Sequence, residues 1–166
     1  IRFFKPKKIV EIGSGQSTLI SLEAIKKNKL ENNSSTKLIC IEPYENNWLE
    51  NLGIEIMRKK IEDVDLDLCK NLEANDILFI DSSHIIRPQG DILKEFLEIL
   101  PILKPGVIIH IHDIYTPRNY PERWLKKENR FYNEQYLLEA MLDNSKRYSV
   151  LLALNFLKND YFDELK

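Results

Sequence analysis

Apolar and polar positions along this chain alternate between two periods. Short, nearly continuous apolar runs at residues 8–12, 37–41, 54–57, 77–80 and 107–111 predict five strands. The run Ile77-Leu78-Phe79-Ile80 has the unbroken character of a strand buried on both faces. Between the runs the spacing lengthens to that of helices. Leu19, Leu22 and Ile25 predict a helix over 17–28, and Trp48, Leu49 and Leu52 a short one over 46–52 stopped by Gly53. Leu68, Cys69 and Leu72 predict a third, inward-facing, over 64–72. A stripe of Ile92, Leu93, Phe96, Leu97, Leu100 and Leu103 predicts a fourth over 92–103, which Pro101 should kink or shorten. The pattern breaks from 115 to 130, where Thr116-Pro117-Arg118-Asn119-Tyr120-Pro121 fits neither period. A helix over 134–142 follows, with Leu137, Leu138, Met141 and Leu142 on one side, then a sixth strand over 148–154; residues 159–166 are too polar for a seventh.

Strands alternating with helices predict an α/β fold, a doubly wound, mostly parallel sheet with helices on both faces. Right-handed crossovers place the carboxyl ends of the strands along one edge, where ligands bind. Four polar clusters from distant parts of the sequence then converge on that edge: the turn within Glu11-Ile12-Gly13-Ser14-Gly15-Gln16-Ser17-Thr18, Glu42, Asp81, and His112-Asp113. The loop 115–132 lies above it, and its aromatics, among them Trp124, Phe131 and Tyr132, either cover a substrate or pack the loop down.

The glycine turn decides what class of ligand to expect. Gly13 and Gly15, between a strand and a helix, let a ligand approach the backbone, and the amides opening the helix point at it. A dinucleotide fingerprint needs a third glycine three residues further on, and that position is Thr18. Its absence argues against NAD or FAD. Glu42 ends the next apolar run, where an acid accepts hydrogen bonds from both ribose hydroxyls. The combination favours a nucleoside-type cofactor over an accidental turn.

Glu11-Ile12-Gly13-Ser14-Gly15, Ile41-Glu42-Pro43, the stretch from Asp76 to His84, and Leu103-Lys104-Pro105-Gly106-Val107 resemble the successive signatures of class I S-adenosylmethionine-dependent methyltransferases. The likeness runs in order over residues 9–113. It is nearest to small methyltransferase domains with Asp-x-x-His after the fourth strand and His-Asp after the fifth. The resemblance implies a Rossmann-like fold. It implies that Gly13, Ser14 and Gly15 lie under the methionine part of the cofactor and that Glu42 binds the ribose. Glu11 would lie near the cofactor's amino group or bond the turn amides, Asp63 (or Glu62) near the adenine, and Asp81 at the cofactor's edge. Measured against that family the chain looks clipped at both ends, a single domain over 1–166 that begins at strand one and lacks the closing strand.

Methyl transfer from a sulfonium is an in-line displacement, so a site must align the nucleophile and deprotonate it where it is a hydroxyl. Asp81, His84, His112 and Asp113 are the candidates, because strands four and five should be neighbours. One reading has a divalent ion, magnesium or manganese, held by Asp81 and Asp113, with His112 or else His84 completing the set. Another is metal-free, with His84 or His112 as general base beside Asp113. In a third, the acids only cap backbone and the histidines are merely hydrogen-bonded. His110 lies deeper on the same strand face and reads as structural, while Arg87 and Arg118 either meet an anionic substrate or, as exposed arginines usually are, are only solvated.

Composition narrows the partners. The 166 residues carry a net charge of −2, with 43% hydrophobic and 30% charged residues, so one soluble globular domain with no nucleic-acid partner is expected. Lys5, Lys7 and Lys8 read as a solvated lead-in. Two cysteines, Cys40 and Cys69, make no disulfide framework or metal spacing. No signal peptide or long apolar run appears, so a cytoplasmic protein with no membrane partner is expected. The function implied is S-adenosylmethionine-dependent O-methylation of a small molecule such as a sugar or nucleotide sugar. The rivals are a nicotinamide-dependent oxidoreductase and a catalytically silent cofactor-binding domain of a larger protein.

Overall fold

Five strands hydrogen-bond in the order β3-β2-β1-β4-β5, all parallel, in the computed structural model of the chain, which describes residues 1–165. They are β1 (Lys8–Ile12), β2 (Lys37–Ile41), β3 (Glu55–Met57), β4 (Ile77–Ile80) and β5 (Ile108–Ile111). Order reverses between β1 and β4, so the carboxyl ends of those two strands flank the crevice where ligands of such sheets bind. Val10 faces Ile39 on one side and Leu78 on the other, and Leu78 faces Ile109. These four share one face of the sheet and make its centre apolar there.

Alternate residues of each strand feed two cores. Val10, Ile12, Ile41, Leu78 and Ile80 pack against the helix formed by residues 91–102 and against Cys69 and Leu72. Ile9, Leu38, Cys40 and Ile77 pack on the other face against Leu22 and Ile25 of α1 (Gln16–Asn32). That helix begins one residue earlier and runs a turn longer than its apolar spacing predicts. It stops at Asn33, whose φ of 53° turns the chain left-handed.

Three expectations about helices change. The helix expected over 64–72 is only α2 (Asp67–Lys70), preceded by a 3₁₀ turn over Ile61–Asp63. The Asp65 carboxylate accepts the Asp67 amide at 2.9 Å, a local turn that competes with helical pairing. Cys69 and Leu72 still point inward. Residues 91–102 are helical as expected, but between α3 (Asp91–Leu93) and α4 (Leu100–Ile102) the stretch Lys94–Ile99 is π-helical. Widening the turn there relieves the clash of the Pro101 ring with the carbonyl of Leu97. It also rotates the helix face. Leu97, expected inside, is exposed, while Glu95 is buried with Phe96 and Ile99. The short helix after β2 is 3₁₀ (Asn47–Leu52), and Gly53 ends it with φ 67°.

The sixth strand does not form. Residues 148–153 are irregular, Val150, Leu151 and Leu152 are exposed, and α7 (Leu154–Asp160) follows. An apolar run becomes a strand only with a partner, and among the described residues none lies beside it. The loop after β5 is less irregular than expected. It holds α5 (Glu122–Lys126), and Tyr120 and Trp124 are buried. The helix α6 (Glu134–Asp143) packs Leu137, Leu138 and Met141 onto the first core. No helix among the described residues is long and apolar enough to cross a membrane.

Candidate functional site

The glycine turn is built by close approach of three strands. Gly13 N–H donates to the Ile41 carbonyl of β2 at 3.0 Å, and Asp81 N–H after β4 donates to the Ile12 carbonyl at 2.8 Å. Gly13 has φ 78°, and a Cβ there would lie 1.8 Å from the Asp81 carbonyl oxygen. Glycine is demanded by both the backbone angle and its neighbour. Behind the turn, Thr18 is fully buried where a third glycine would stand. Its hydroxyl accepts the Gly15 amide at 3.0 Å and donates to Glu11 at 2.9 Å.

Glu11 is almost fully buried, and burial pushes its carboxyl up while bonds from Ser17, Thr18 and Cys40 pull it back. Those partners are side chains, so Glu11 forms the floor of the turn and does not bond the turn amides. Glu42 takes that role. Its carboxylate accepts the amides of Ser14 at 3.3 Å, Tyr44 at 3.0 Å and Glu45 at 2.9 Å. Asn46 donates to the Ser14 carbonyl at 2.9 Å and closes the rim. Arg58, just past β3, donates to the carbonyls of Glu42 at 3.0 Å, Glu45 at 2.6 Å and Asn46 at 3.3 Å. Nothing in the residue pattern singled out that clamp. Asp63 sits exposed at the end of its 3₁₀ turn, outside this cluster.

The Ser14 hydroxyl is buried with only the Cys40 thiol within reach and no closer hydrogen-bond partner. A buried hydroxyl so weakly partnered, beside a carboxylate already oriented by three amides, fits a polar ligand such as the ribose or amino-acid portion of a nucleoside cofactor.

The candidate catalytic side chains do meet. Asp81 Oδ1 lies 3.2 Å from His84 Nε2 and 3.2 Å from His112 Nδ1, and that same Nδ1 lies 3.3 Å from Asp113 Oδ1. His84 Nδ1 bonds a residue the sequence did not suggest, Glu134, which is fully buried at the first position of α6. An acid opening a helix reads as a solvated partner of the helix dipole, so sequence alone gave no reason to single it out. The Tyr132 ring lies 4.4 Å from the His84 ring. His84 and Asp113 both have left-handed φ, 60° and 53°.

Each shift in basicity has a visible cause. Burial opposes charge on Asp81, but the bonds from His112 and His84 outweigh it and hold its carboxyl well below the usual range. Burial likewise opposes charge on His84, yet Asp81 and Glu134 raise it to about 9. Asp113 and Asp81 raise His112 to about 10. Burial pushes Glu95 up to about 8, with a bond from Ser82 opposing. Burial, then the charge of His112, lowers His110, whose ring packs against Phe79 at 4.6 Å in a tilted arrangement, as a structural ring would.

The remaining candidates divide. Asp81, His112 and Asp113 converge as a hydrogen-bonded charge cluster, and among the described residues no group of three or more His, Cys, Asp or Glu is placed to hold a metal ion. Arg87 is taken by Ser83 and Asp91, and Arg118 by both carboxylate oxygens of Asp160. Tyr115, Trp124 and Tyr132 contact one another at 5.1 and 5.2 Å and pack the covering loop down.

A family model described as "Methyltransferase domain" matches residues 10–114. An uncharacterized protein of Archaeoglobus fulgidus is 38% identical over 78 residues, a match spanning 43% of this chain and 34% of that protein. The alignment thus spans about a third of the relative's length. No solved structure gives a significant match.

Proposed function

The chain belongs to the methyltransferase-domain family, and from that premise we propose that it is a class I S-adenosylmethionine-dependent enzyme that methylates a hydroxyl of a small molecule, such as a sugar or nucleotide sugar. One observation carries the reading: Asp81, His84, His112 and Asp113 gather at the carboxyl ends of β4 and β5, next to the glycine turn and Glu42. Gly13, Ser14, Gly15 and Glu42 would hold the cofactor. When bound, it supplies an electrophilic methyl carbon on a positively charged sulfur.

His112 is the residue we assign to the acceptor. Its Nδ1 is held between Asp81 and Asp113, and its exposed ring leaves Nε2 without a protein partner among the described residues. Once the ring has lost its second proton, Nδ1–H points to the two carboxylates and Nε2 takes the hydroxyl proton, and the imidazolium that results is stabilised by both acids. His84, enclosed between Asp81 and Glu134, orients the cluster and is too buried to reach an acceptor.

Calorimetry with S-adenosylhomocysteine tests the reading. Wild type should bind, and Glu42→Ala should bind about 10–100-fold more weakly, the loss of charge-assisted contacts. Absence of binding to the wild type would overturn the proposal. With an acceptor in hand, the rate should rise with pH toward about 10 as His112 loses its proton, and His112→Ala should abolish that rise. Loss of activity with chelator, restored by magnesium, would assign the cluster to a metal instead.

A further inference from the structure

The amino end of α6 grips both loops that carry the candidate catalytic side chains. Asn133 N–H donates to the His84 carbonyl at 3.0 Å, and Asn133 Oδ1 accepts the Ile86 N–H at 2.6 Å. The Glu134 carboxylate bonds His84 Nδ1. Gln135 turns the other way. Its Oε1 accepts the Tyr115 N–H at 3.1 Å, its Nε2 donates to the Arg118 carbonyl at 3.0 Å, and its backbone N–H donates to the Tyr120 hydroxyl at 3.3 Å. Three successive residues thus join the loop after β4 to the loop after β5.

We infer that Asn133-Glu134-Gln135 is a staple that fixes these two loops against each other, with Glu134 and Gln135 acting as positioning residues for the Asp81–His84–His112 cluster. Its purpose rests on the methyl-transfer reading; its geometry does not. Loops beyond strand ends have no ladder to take up their polar groups, so side chains must supply the partners. The left-handed backbone of His84 persists only where its surroundings over-determine it, and the Asn133 and Glu134 bonds do so.

Stability alone does not explain the staple. Glu134 and Gln135 are nearly inaccessible, and Glu134 Oε2 is buried without a partner. A half-satisfied buried carboxylate costs more than an apolar side chain of the same volume. What the polar residues add is direction. Glu134 fixes the His84 ring, whose Nε2 fixes Asp81 Oδ1, which His112 shares.

The chain has three histidines, so long-range ¹⁵N–¹H spectra resolve each ring. In the wild type the His84 Nδ1 proton should resonate far downfield and exchange slowly. Glu134→Gln keeps the side-chain volume; it should move that signal upfield and also shift the ring nitrogens of His112, which residue 134 does not touch. Gln135→Met should leave the His84 signal in place, shift His112, and speed exchange of the Tyr115 amide at least about tenfold. If His112 is unmoved in cooperatively melting samples of both variants, the staple does not position the cluster and the inference fails. Should Glu134→Gln not fold, Gln135→Met decides alone, because its two readouts leave Glu134 intact. S-adenosylhomocysteine affinity should stay within about twofold of wild type in either variant, since the glycine turn and Glu42 are untouched. Absence of binding to the wild type itself would remove the functional reading while leaving the histidine result standing.

Discussion

Replacing Gly13 with alanine separates what the glycine turn does for the fold from what it does for a ligand. Two costs add. A side chain at φ 78° suffers the left-handed penalty of about 1–2 kcal/mol. Its Cβ would also stand 1.8 Å from the Asp81 carbonyl oxygen and 2.7 Å from the carbonyl carbon, so the two segments must part by about 1 Å or more. Neither yields freely, because Gly13 is tied to Ile41 and Asp81 to Ile12 by backbone hydrogen bonds of 3.0 and 2.8 Å. Overpacking of this kind costs roughly 1–3 kcal/mol. The sum, about 2–5 kcal/mol, lowers the melting temperature by roughly 4–20 °C in a domain this size. Gly53→Ala is the control, because Gly53 also has left-handed φ, 67°, but a Cβ there meets nothing within 4 Å. It should lose only the backbone term, about 1–2 kcal/mol. Thermal melts of the two variants side by side give the answer. Equal losses would refute the close approach of the β1 turn to the end of β4. Because the yielding atom belongs to Asp81, Gly13→Ala should also disturb the His84 and His112 resonances, which Gly53→Ala should not.

Stability should fall as pH rises from about 6.5 to 10. His84 and His112 hold their protons more tightly folded than unfolded, so their contribution is complete below the ordinary histidine value near 6.5 and is lost through about 9 and 10. Glu95 works in the same direction, losing its contribution between its ordinary value of 4.5 and about 8 as burial resists its ionisation. Asp81, held low, loses its share only as pH drops below 3.8. Urea midpoints across pH 5 to 10 measure this, and a flat or rising profile above neutrality would contradict it. Asp76→Ala tests the opposite end of the sheet. Its buried carboxylate accepts the amides of Lys7, Lys8 and Glu73 at 3.1, 2.8 and 2.9 Å, so the variant should lose roughly 1–3 kcal/mol in denaturant titration. Its affinity for S-adenosylhomocysteine should be unchanged; a loss there would mean the two sheet ends are coupled.

Pattern reading succeeded where burial on both faces leaves no alternative. The runs at 8–12, 37–41 and 77–80 are strands to the residue, because a doubly covered parallel strand needs an unbroken apolar stretch. It failed where a local choice waits on distant partners. The run at 148–154 has strand character, but a strand is a pair, and among the described residues its partner is missing. The stripe at 92–103 gave the helix but not its rotation, since a π-helical stretch ahead of Pro101 carries Leu97 outward and Glu95 inward. The same division runs through the site. Asp81, His84, His112 and Asp113 were legible because topology alone brings the ends of neighbouring strands together. Glu134 was not, because its partner His84 lies fifty residues earlier and a helix-opening acid has an ordinary explanation.

The buried acids explain why this edge of the molecule is polar beneath its surface as well as at it. Glu95 and Glu134 are both inaccessible, and each leaves one carboxylate oxygen without a partner. Packing alone would favour apolar residues at both positions. Each acid instead reaches the loop after β4, Glu95 through Ser82 and Glu134 through His84, on either side of the segment that begins at Asp81. A segment with left-handed backbone and no ladder partners can be fixed in orientation only by directional bonds, and carboxylates accept the strongest ones. The stability forgone at these two positions is therefore the physical counterpart of a fixed Asp81, on whose one oxygen both candidate histidines depend.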